Sequence, residues 1–159
     1  GLIMAALSDF AENKIIDFLF RGQALGITGA SAAAGTGPTN IYVALYTANP
    51  TDSTSGTEVT GGSYARVTVA SSLANWAGTQ GAGTTTASSG NTGTTSNNNA
   101  ITFPAPTANW GVITGAALCD ASSGGNILAY GALTVNKTVN NGDAAPSFPA
   151  GSLTFQLDN

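Results

Sequence analysis

Few side chains in this sequence can take part in catalysis. The 159 residues contain eight carboxylates and a single cysteine, Cys119, and they contain no histidine. A serine or cysteine triad needs an imidazole base, and a structural zinc site needs several thiolates or histidines. The sequence therefore excludes both chemistries, and we predict that the protein is not an enzyme and holds no metal or cofactor.

Paired carboxylates could still hydrolyse a glycosidic bond, which is the one enzyme class that the composition permits. Local structure accounts for these acidic residues, however: Asp9, Glu12 and Asp17 fall in a predicted helix, and Asp52, Glu58, Asp120 and Asp143 fall in predicted turns. Oxygen atoms that could bind calcium alternate along residues 52–58, but this segment lacks the paired carboxylates of an EF-hand loop. Capping and turn formation are the preferred interpretation.

Tyrosine and tryptophan side chains could stack on sugar rings if they were exposed to solvent. The candidates are Tyr42, Tyr46, Tyr64, Trp76, Trp110 and Tyr130. Aromatic residues in strands more often belong to a core, which is the preferred interpretation. The alternative is a carbohydrate-binding module, or an adhesin that recognises a host surface glycan, and it predicts that Trp76 or Trp110 lies exposed in a shallow groove.

Low charge limits the partners that the protein can bind. Only 8% of the residues are charged, against roughly 25% in an average soluble domain, and the net charge is -4. Four scattered basic residues offer no surface to a phosphate backbone, so we expect no nucleic-acid partner. No apolar run reaches the roughly 18 residues that span a bilayer, so we expect no membrane partner. A surface made of serine, threonine, asparagine and glycine suits assembly.

One helix is predicted, from about Asp9 to Arg21. Ser8 is a good N-cap, Arg21 places positive charge in the last turn, and Gly22 can supply a left-handed end. The apolar side chains spread over more than one face, which indicates burial on two sides. Either the helix packs only on its own domain, or its second face meets a neighbouring subunit. The candidate interface residues are Phe10, Ile15, Ile16, Phe18, Leu19 and Phe20.

We expect two parts along the chain. Residues 1–39 form an N-terminal helix and a Gly/Ala-rich linker, and residues 40–159 form a β-sandwich domain with a long polar loop at 77–99. The linker, Gly26 to Pro38, shows no periodicity. Residues 1–7 are apolar but follow no basic residue, so they do not predict a signal peptide, and Met4 is a candidate initiator.

Patterns of β-branched and aromatic residues predict about seven short strands after residue 39. They are Ile41 to Thr47, Tyr64 to Val69, Ala100 to Phe103, Val112 to Cys119, Ile127 to Leu133, Lys137 to Val139 and Ser152 to Leu157. Turn signals separate them, among them residues 121–126 and Asn141-Gly142. Short strands without crossover helices predict a mainly β fold, an antiparallel, jelly-roll-like β-sandwich with one N-terminal helix.

Two further segments carry expectations about burial. Residues 77–99 are almost entirely Gly, Thr, Ser, Ala and Asn, with nothing that can nucleate a core. They form either a long surface loop, the preferred interpretation for an isolated domain, or a polar strand pair stabilised by a partner chain. Cys119 ends an apolar run that begins at Val112, so we expect a buried free thiol.

Several sequence segments are more specific for a protein family than any catalytic motif in the chain. They are LSDFAENKIIDF at 7–18, IYVALYTANPTD at 41–52, GTEVTGGSYAR at 56–66, ITFP at 101–104, NWG at 109–111, residues 120–126, GAL at 131–133 and FPAG at 148–151. Over nearly the whole chain the sequence resembles a family of short tailed-bacteriophage proteins commonly labelled tail fibre proteins. The longer polar insert around residues 79–99 departs from the pattern of that family.

The resemblance implies a structural protein of the virion, exposed on the particle exterior. It fits a tail fibre or tail-associated protein, and it also fits a decoration or cement protein of the capsid. The implied partners are other capsid or tail proteins and further copies of the chain. By analogy with virion spikes and decorations, we expect a homotrimer.

Overall fold

The computed structural model describes residues 7–27 and 37–157. Most of the predicted linker, residues 28–36, and the candidate initiator Met4 lie outside the described residues. No helix in the described ranges is long and apolar enough to cross a membrane.

The helix has the predicted bounds, and α1 spans Asp9–Arg21. At its start the side chain of Ser8 accepts a hydrogen bond from the Ala11 N–H at 3.3 Å. At its end Gly22 adopts a left-handed conformation with φ at 69°, and its N–H donates to the Asp17 carbonyl. Both ends are therefore set by short-range bonds that the local sequence encodes.

Nine strands lie in the described part of the chain. They are β1 (Asn40–Ala48), β2 (Thr57–Glu58), β3 (Val67–Ala70), β4 (Thr94–Ser96), β5 (Ile101–Thr102), β6 (Gly111–Cys119), β7 (Ile127–Val139), β8 (Ser147–Phe148) and β9 (Thr154–Gln156). The pairings of β1 with β2 and β6, of β6 with β7, of β4 with β9 and of β5 with β8 are antiparallel. The mainly β, antiparallel fold class with one helix is confirmed.

Internal contacts divide the chain into two compact units, each discontinuous in sequence. We call Gly1–Thr39, Ala70–Ala100 and Pro149–Asn159 the helix unit, and Asn40–Val69 and Ile101–Phe148 the sheet unit. The expected separation into residues 1–39 and 40–159 stays a prediction.

The sheet unit is built on a five-stranded sheet. The strand order is β2-β1-β6-β7, and β3 also pairs with β1. The register sets Tyr42 opposite Cys119 and Tyr46 opposite Gly115. Cys119 is a buried free thiol, as expected, and it packs with Ala44, Tyr46 and Ala117.

Strand β7 is one continuous strand where two were predicted, Ile127 to Leu133 and Lys137 to Val139. Ile113 pairs with Lys137 and Gly115 with Ala132, so two steps along β6 correspond to five along β7. The extra residues of β7 form a bulge, which bends a strand without ending it. Val135 lies in this bulge and is 78% exposed.

The helix unit has a small aromatic core. Phe20 of α1 contacts Trp76 with the ring centroids 5.3 Å apart, and it contacts Phe155 at 4.9 Å. Strands β4 and β9 pair so that Thr95 lies opposite Phe155. Three segments that are distant in sequence therefore form the core of the helix unit.

Some strand predictions were wrong in detail. β2, β4 and β8 were not predicted, and β2 lies inside a segment that was expected to form turns. β3 begins at Val67 instead of Tyr64. The reason is that the Tyr64 N–H donates to the Gly61 carbonyl at 2.9 Å and closes a turn, in which Ser63 has a φ of 63°.

Candidate functional site

A polar stripe runs along α1. Asn13, Asp17 and Arg21 are spaced four residues apart and therefore share one side of the helix. Asn13 binds the segment 77–90: its Oδ1 accepts from the Thr79 hydroxyl at 2.6 Å, and its Nδ2 donates to the Gly90 carbonyl at 3.1 Å. The stripe faces a segment that has almost no apolar side chains.

Arg21 is fully buried and is surrounded by acceptors. Its Nη1 donates to Asp17 Oδ1 at 2.6 Å. Its Nε donates to the Trp76 carbonyl at 2.9 Å, and its Nη2 donates to the Thr86 carbonyl at 2.6 Å. Asp17 in turn accepts from the Ser88 N–H at 2.8 Å and from the Ser88 hydroxyl at 2.5 Å. The ion pair thus binds both the backbone and the side chains of the polar segment.

Most of residues 80–92 are exposed and belong to no strand, whereas the two ends of the polar segment 77–99 are buried. Thr79, Thr95, Ser96 and Asn97 are buried, and β4 pairs with β9 of the same chain. Polar contacts from α1 replace the apolar contacts that the segment lacks. The sequence reasoning missed this role, although the spacing of Asn13, Asp17 and Arg21 is a signal that could have shown it.

A second arginine–carboxylate pair lies in the sheet unit. Arg66 binds Glu58 through two parallel bonds, Nε to Oε1 and Nη2 to Oε2, both at 2.9 Å. Its Nη1 donates to the Ala121 carbonyl at 2.7 Å and to the Gly124 carbonyl at 2.9 Å. Arg66 therefore holds the loop that joins β6 to β7 against the end of β2.

The electrostatics around Glu58 favour its charged form. Burial opposes ionisation, but hydrogen bonds from Arg66 and Tyr64 and the charge of Arg66 together outweigh it and lower the pKa of Glu58. Burial raises the pKa of the Cys119 thiol. It also raises the pKa of Tyr46 to about 12, with a smaller contribution from Cys119. Neither Cys119 nor Tyr46 is poised to act as a nucleophile at neutral pH.

The candidate interface residues of α1 lie in different environments. Ile16 and Phe20 are fully buried in the helix unit, so they cannot offer a free surface. Phe10 is 58% exposed, and Lys14 lies over its ring at 5.7 Å from the centroid. The remaining candidates, Ile15, Phe18 and Leu19, are half-buried. An interface on α1 stays a prediction, and its accessible centre is Phe10.

The tryptophans do not form a sugar-stacking platform. Trp76 and Trp110 are both buried, and Trp110 Nε1 donates to the Gly62 carbonyl at 2.9 Å. The carbohydrate-binding alternative predicted that Trp76 or Trp110 would be exposed, and this prediction is wrong. Tyr130 is instead the exposed aromatic residue of that set, at 43%, and its hydroxyl donates to Asp52.

The acidic residues of the described ranges are dispersed over several elements. Within residues 7–27 and 37–157, no group of three or more Cys, Asp or Glu side chains could hold a metal ion. Asp17 and Glu58 serve the two arginine networks, and Asp120 accepts from the Asn126 N–H and side chain at 2.7 and 2.8 Å. These carboxylates fix the geometry of the helix and of the loops.

Comparison with known protein families gives a match over most of the chain. The family described as Podophage GP4 fiber I protein gp80 matches residues 6–156. The match includes α1, all nine strands and the two arginine networks. No curated protein matches the chain.

Replacement of Arg21 by methionine should destabilise the protein strongly. Arg21→Met leaves the buried carboxylate of Asp17 without its cation, and loss of one partner of a buried pair costs about 4 kcal/mol. Lys14→Met is the matched control, because Lys14 lies on the same helix with its ammonium over the Phe10 ring, and it should change the free energy of unfolding by less than about 1 kcal/mol. Urea denaturation measures both; equal effects of the two variants would contradict this account.

The contribution of Glu58 to stability should depend on pH. A carboxyl whose pKa is lowered by folding stabilises the protein above its unfolded pKa, here near 4.5, and this stabilisation is lost as the pH falls through the lower folded pKa. Glu58→Gln should therefore cost about 2 kcal/mol at pH 7, and the cost should shrink below pH 4.5. Denaturation of both proteins across this range measures the difference, and a cost that is constant or grows on acidification would argue against the network.

Proposed function

The chain belongs to the family of the podophage GP4 fiber I protein gp80 and is a component of a phage virion, and from that premise we propose that it is a non-catalytic tail fibre protein exposed on the particle exterior. The family match over residues 6–156 carries this proposal. Decoration or cementing of the capsid is the alternative location. Copies of the same chain and neighbouring tail proteins are the proposed partners.

The distribution of charge supports a role in contact. Of the four basic residues, Arg21 and Arg66 are taken up by the internal networks, so Lys14 and Lys137 remain. Lys14 is half-buried and Lys137 is exposed. The exterior therefore consists largely of neutral polar side chains, which can be desolvated against another surface at lower cost than charged ones.

The roles of the acidic and thiol groups support the non-catalytic part of the proposal. Asp17 and Glu58 are each paired with an arginine, and Asp120 closes the loop after β6. Burial holds the Cys119 thiol in its neutral form at pH 7. These groups have structural partners that a substrate would have to displace.

Self-association is proposed through the exposed side of α1. Phe10 is 58% exposed and Leu7, one turn earlier, is 48% exposed. Phe18, about two turns later on the helix, is half-buried. Apolar side chains grouped in this way favour burial against a second copy, and three copies are expected.

Location on the particle is tested by labelling intact virions with gold-conjugated antibodies raised against this chain. The proposal predicts gold at the tail fibres of undisrupted particles. Gold confined to the head shell would support the capsid alternative. Labelling only after the particles are opened would contradict exposure on the exterior.

Association is tested by native mass spectrometry of the full chain at micromolar concentration. We expect a trimer, and Phe10→Ser should shift the population toward monomer by at least tenfold because it removes an apolar side chain from the contact. Val135→Ser is the matched control, since Val135 is exposed in the sheet unit, and it should leave the trimer intact. A wild-type protein that stays monomeric would contradict the proposed self-association.

A further inference from the structure

The turn that follows β7 contains the only Asn-Gly pair in the sequence, Asn141-Gly142. Both residues are exposed. Apart from its chain neighbours, no atom of the described residues lies within 4 Å of the position that a Cβ on Gly142 would take. Because glycine has no side chain to block the approach, its backbone nitrogen can attack the side-chain amide carbon of the preceding asparagine. The pair and its exposure therefore point to spontaneous deamidation.

Water is the only co-reactant of this reaction. The Gly142 nitrogen forms a bond to Asn141 Cγ, and the bond from Cγ to the side-chain nitrogen breaks. The proton of the attacking nitrogen leaves with that group as ammonia, and a five-membered succinimide ring remains. Water then adds to one of the two ring carbonyl carbons and opens the ring. The product is aspartate or isoaspartate, and the chain gains one negative charge.

Hydrogen bonds hold the attacking nitrogen away from this path. The Gly142 N–H donates to the Pro106 carbonyl at 3.1 Å, and the Asp143 N–H donates to the Asn140 carbonyl at 3.1 Å. Gly142 has a φ of 81°, as the third residue of a type II turn requires. Attack needs this nitrogen to give up its proton and to turn toward Asn141 Cγ. The bond to Pro106 therefore has to break before the ring can form.

Asn109 holds the same turn from the segment 104–110, which precedes β6. Its Oδ1 accepts from the Asn141 N–H at 2.8 Å. The next residue, Trp110, donates its backbone N–H to the Val139 carbonyl at 3.0 Å. We propose that Asn141 is a deamidation site and that the contact with Asn109 sets its rate. Asn109 is a positioning residue, because it contacts the backbone of Asn141 and none of the reacting atoms.

Deamidation loosens the turn. The new carboxylate at position 141 lies two residues from Asp143, whose Oδ2 accepts from the Asn140 N–H at 2.8 Å, and like charges repel. Isoaspartate also lengthens the main chain by one methylene group, which moves the Gly142 N–H from its acceptor. The chain is a component of a virion, and a virion makes no new protein. The modified form therefore accumulates as the particle ages.

The test is incubation of the full chain at mildly alkaline pH, followed by mass spectrometry of its proteolytic peptides. A synthetic peptide of residues 137–146 gives the rate without the fold. We expect Asn141 to convert before the other asparagines of the chain, at least tenfold more slowly than in the peptide. Asn109→Ala removes the acceptor and should raise the rate in the protein at least fivefold.

Asn109→Asp is the matched control, because its carboxylate keeps an acceptor for the Asn141 N–H, and it should not raise the rate. Thermal denaturation of each variant shows whether it is folded. Three results would overturn the proposal: conversion at the peptide rate in the native protein, no conversion after a hundred half-times of the peptide, or an unchanged rate in folded Asn109→Ala.

The effect of the modification on the turn has its own measurement. Anion exchange separates the deamidated chain, which carries one more negative charge, from the native chain. The deamidated fraction should unfold at a lower urea concentration because the turn has lost hydrogen bonds. Equal unfolding midpoints of the two fractions would contradict the proposed loosening.

Discussion

The buried ion pair between Arg21 and Asp17 is the interaction on which the helix unit depends. Taking two charges out of water costs several kcal/mol per ion, and this cost is offset only when the charges meet and hydrogen bonds fill their remaining positions. The structure meets that condition, because the carbonyls of Trp76 and Thr86 accept from the guanidinium and Ser88 donates twice to the carboxylate. A segment too polar to fold by hydrophobic burial is thus ordered by a pair of charges on one helix.

The sheet unit uses the same physical solution with different residues. The planar guanidinium of Arg66 binds both carboxylate oxygens of Glu58. Its Nη1 donates to two carbonyls of the loop after β6. Arg21 and Arg66, half of the four basic residues, are therefore used in internal networks. The exterior of the protein carries few charges, mainly exposed carboxylates such as Asp52 and Asp143, and is otherwise rich in hydroxyl and amide groups, which suits contact with other virion proteins. The internal charges and the proposed contact surfaces are therefore two consequences of one composition.

Local signals in the sequence predicted the elements whose ends are set by short-range bonds. Ser8 and Gly22 defined α1, and the apolar runs defined β1 and β6. Three of the five strands of two or three residues, β2, β4 and β8, were missed because only pairing with another segment makes them strands, as β4 requires β9. The stripe on α1 was not recognised, and only Arg21 was given a role, as end charge, because the polar segment that the stripe binds lies more than fifty residues away. The exposed Tyr130 could not be told from core aromatics, since its strand pattern is the same and only the fold shows which face is open.

The most direct test of the central claim is amide hydrogen exchange at Ser88. Its N–H donates to the buried carboxylate of Asp17 at 2.8 Å, although its neighbours in sequence are alanine, serine and glycine. If the ion pair orders the polar segment, this amide should exchange at least a hundredfold more slowly than in a free peptide of the same sequence, and Arg21→Lys should remove most of that protection. Exchange at the free-peptide rate in the native protein would contradict the account.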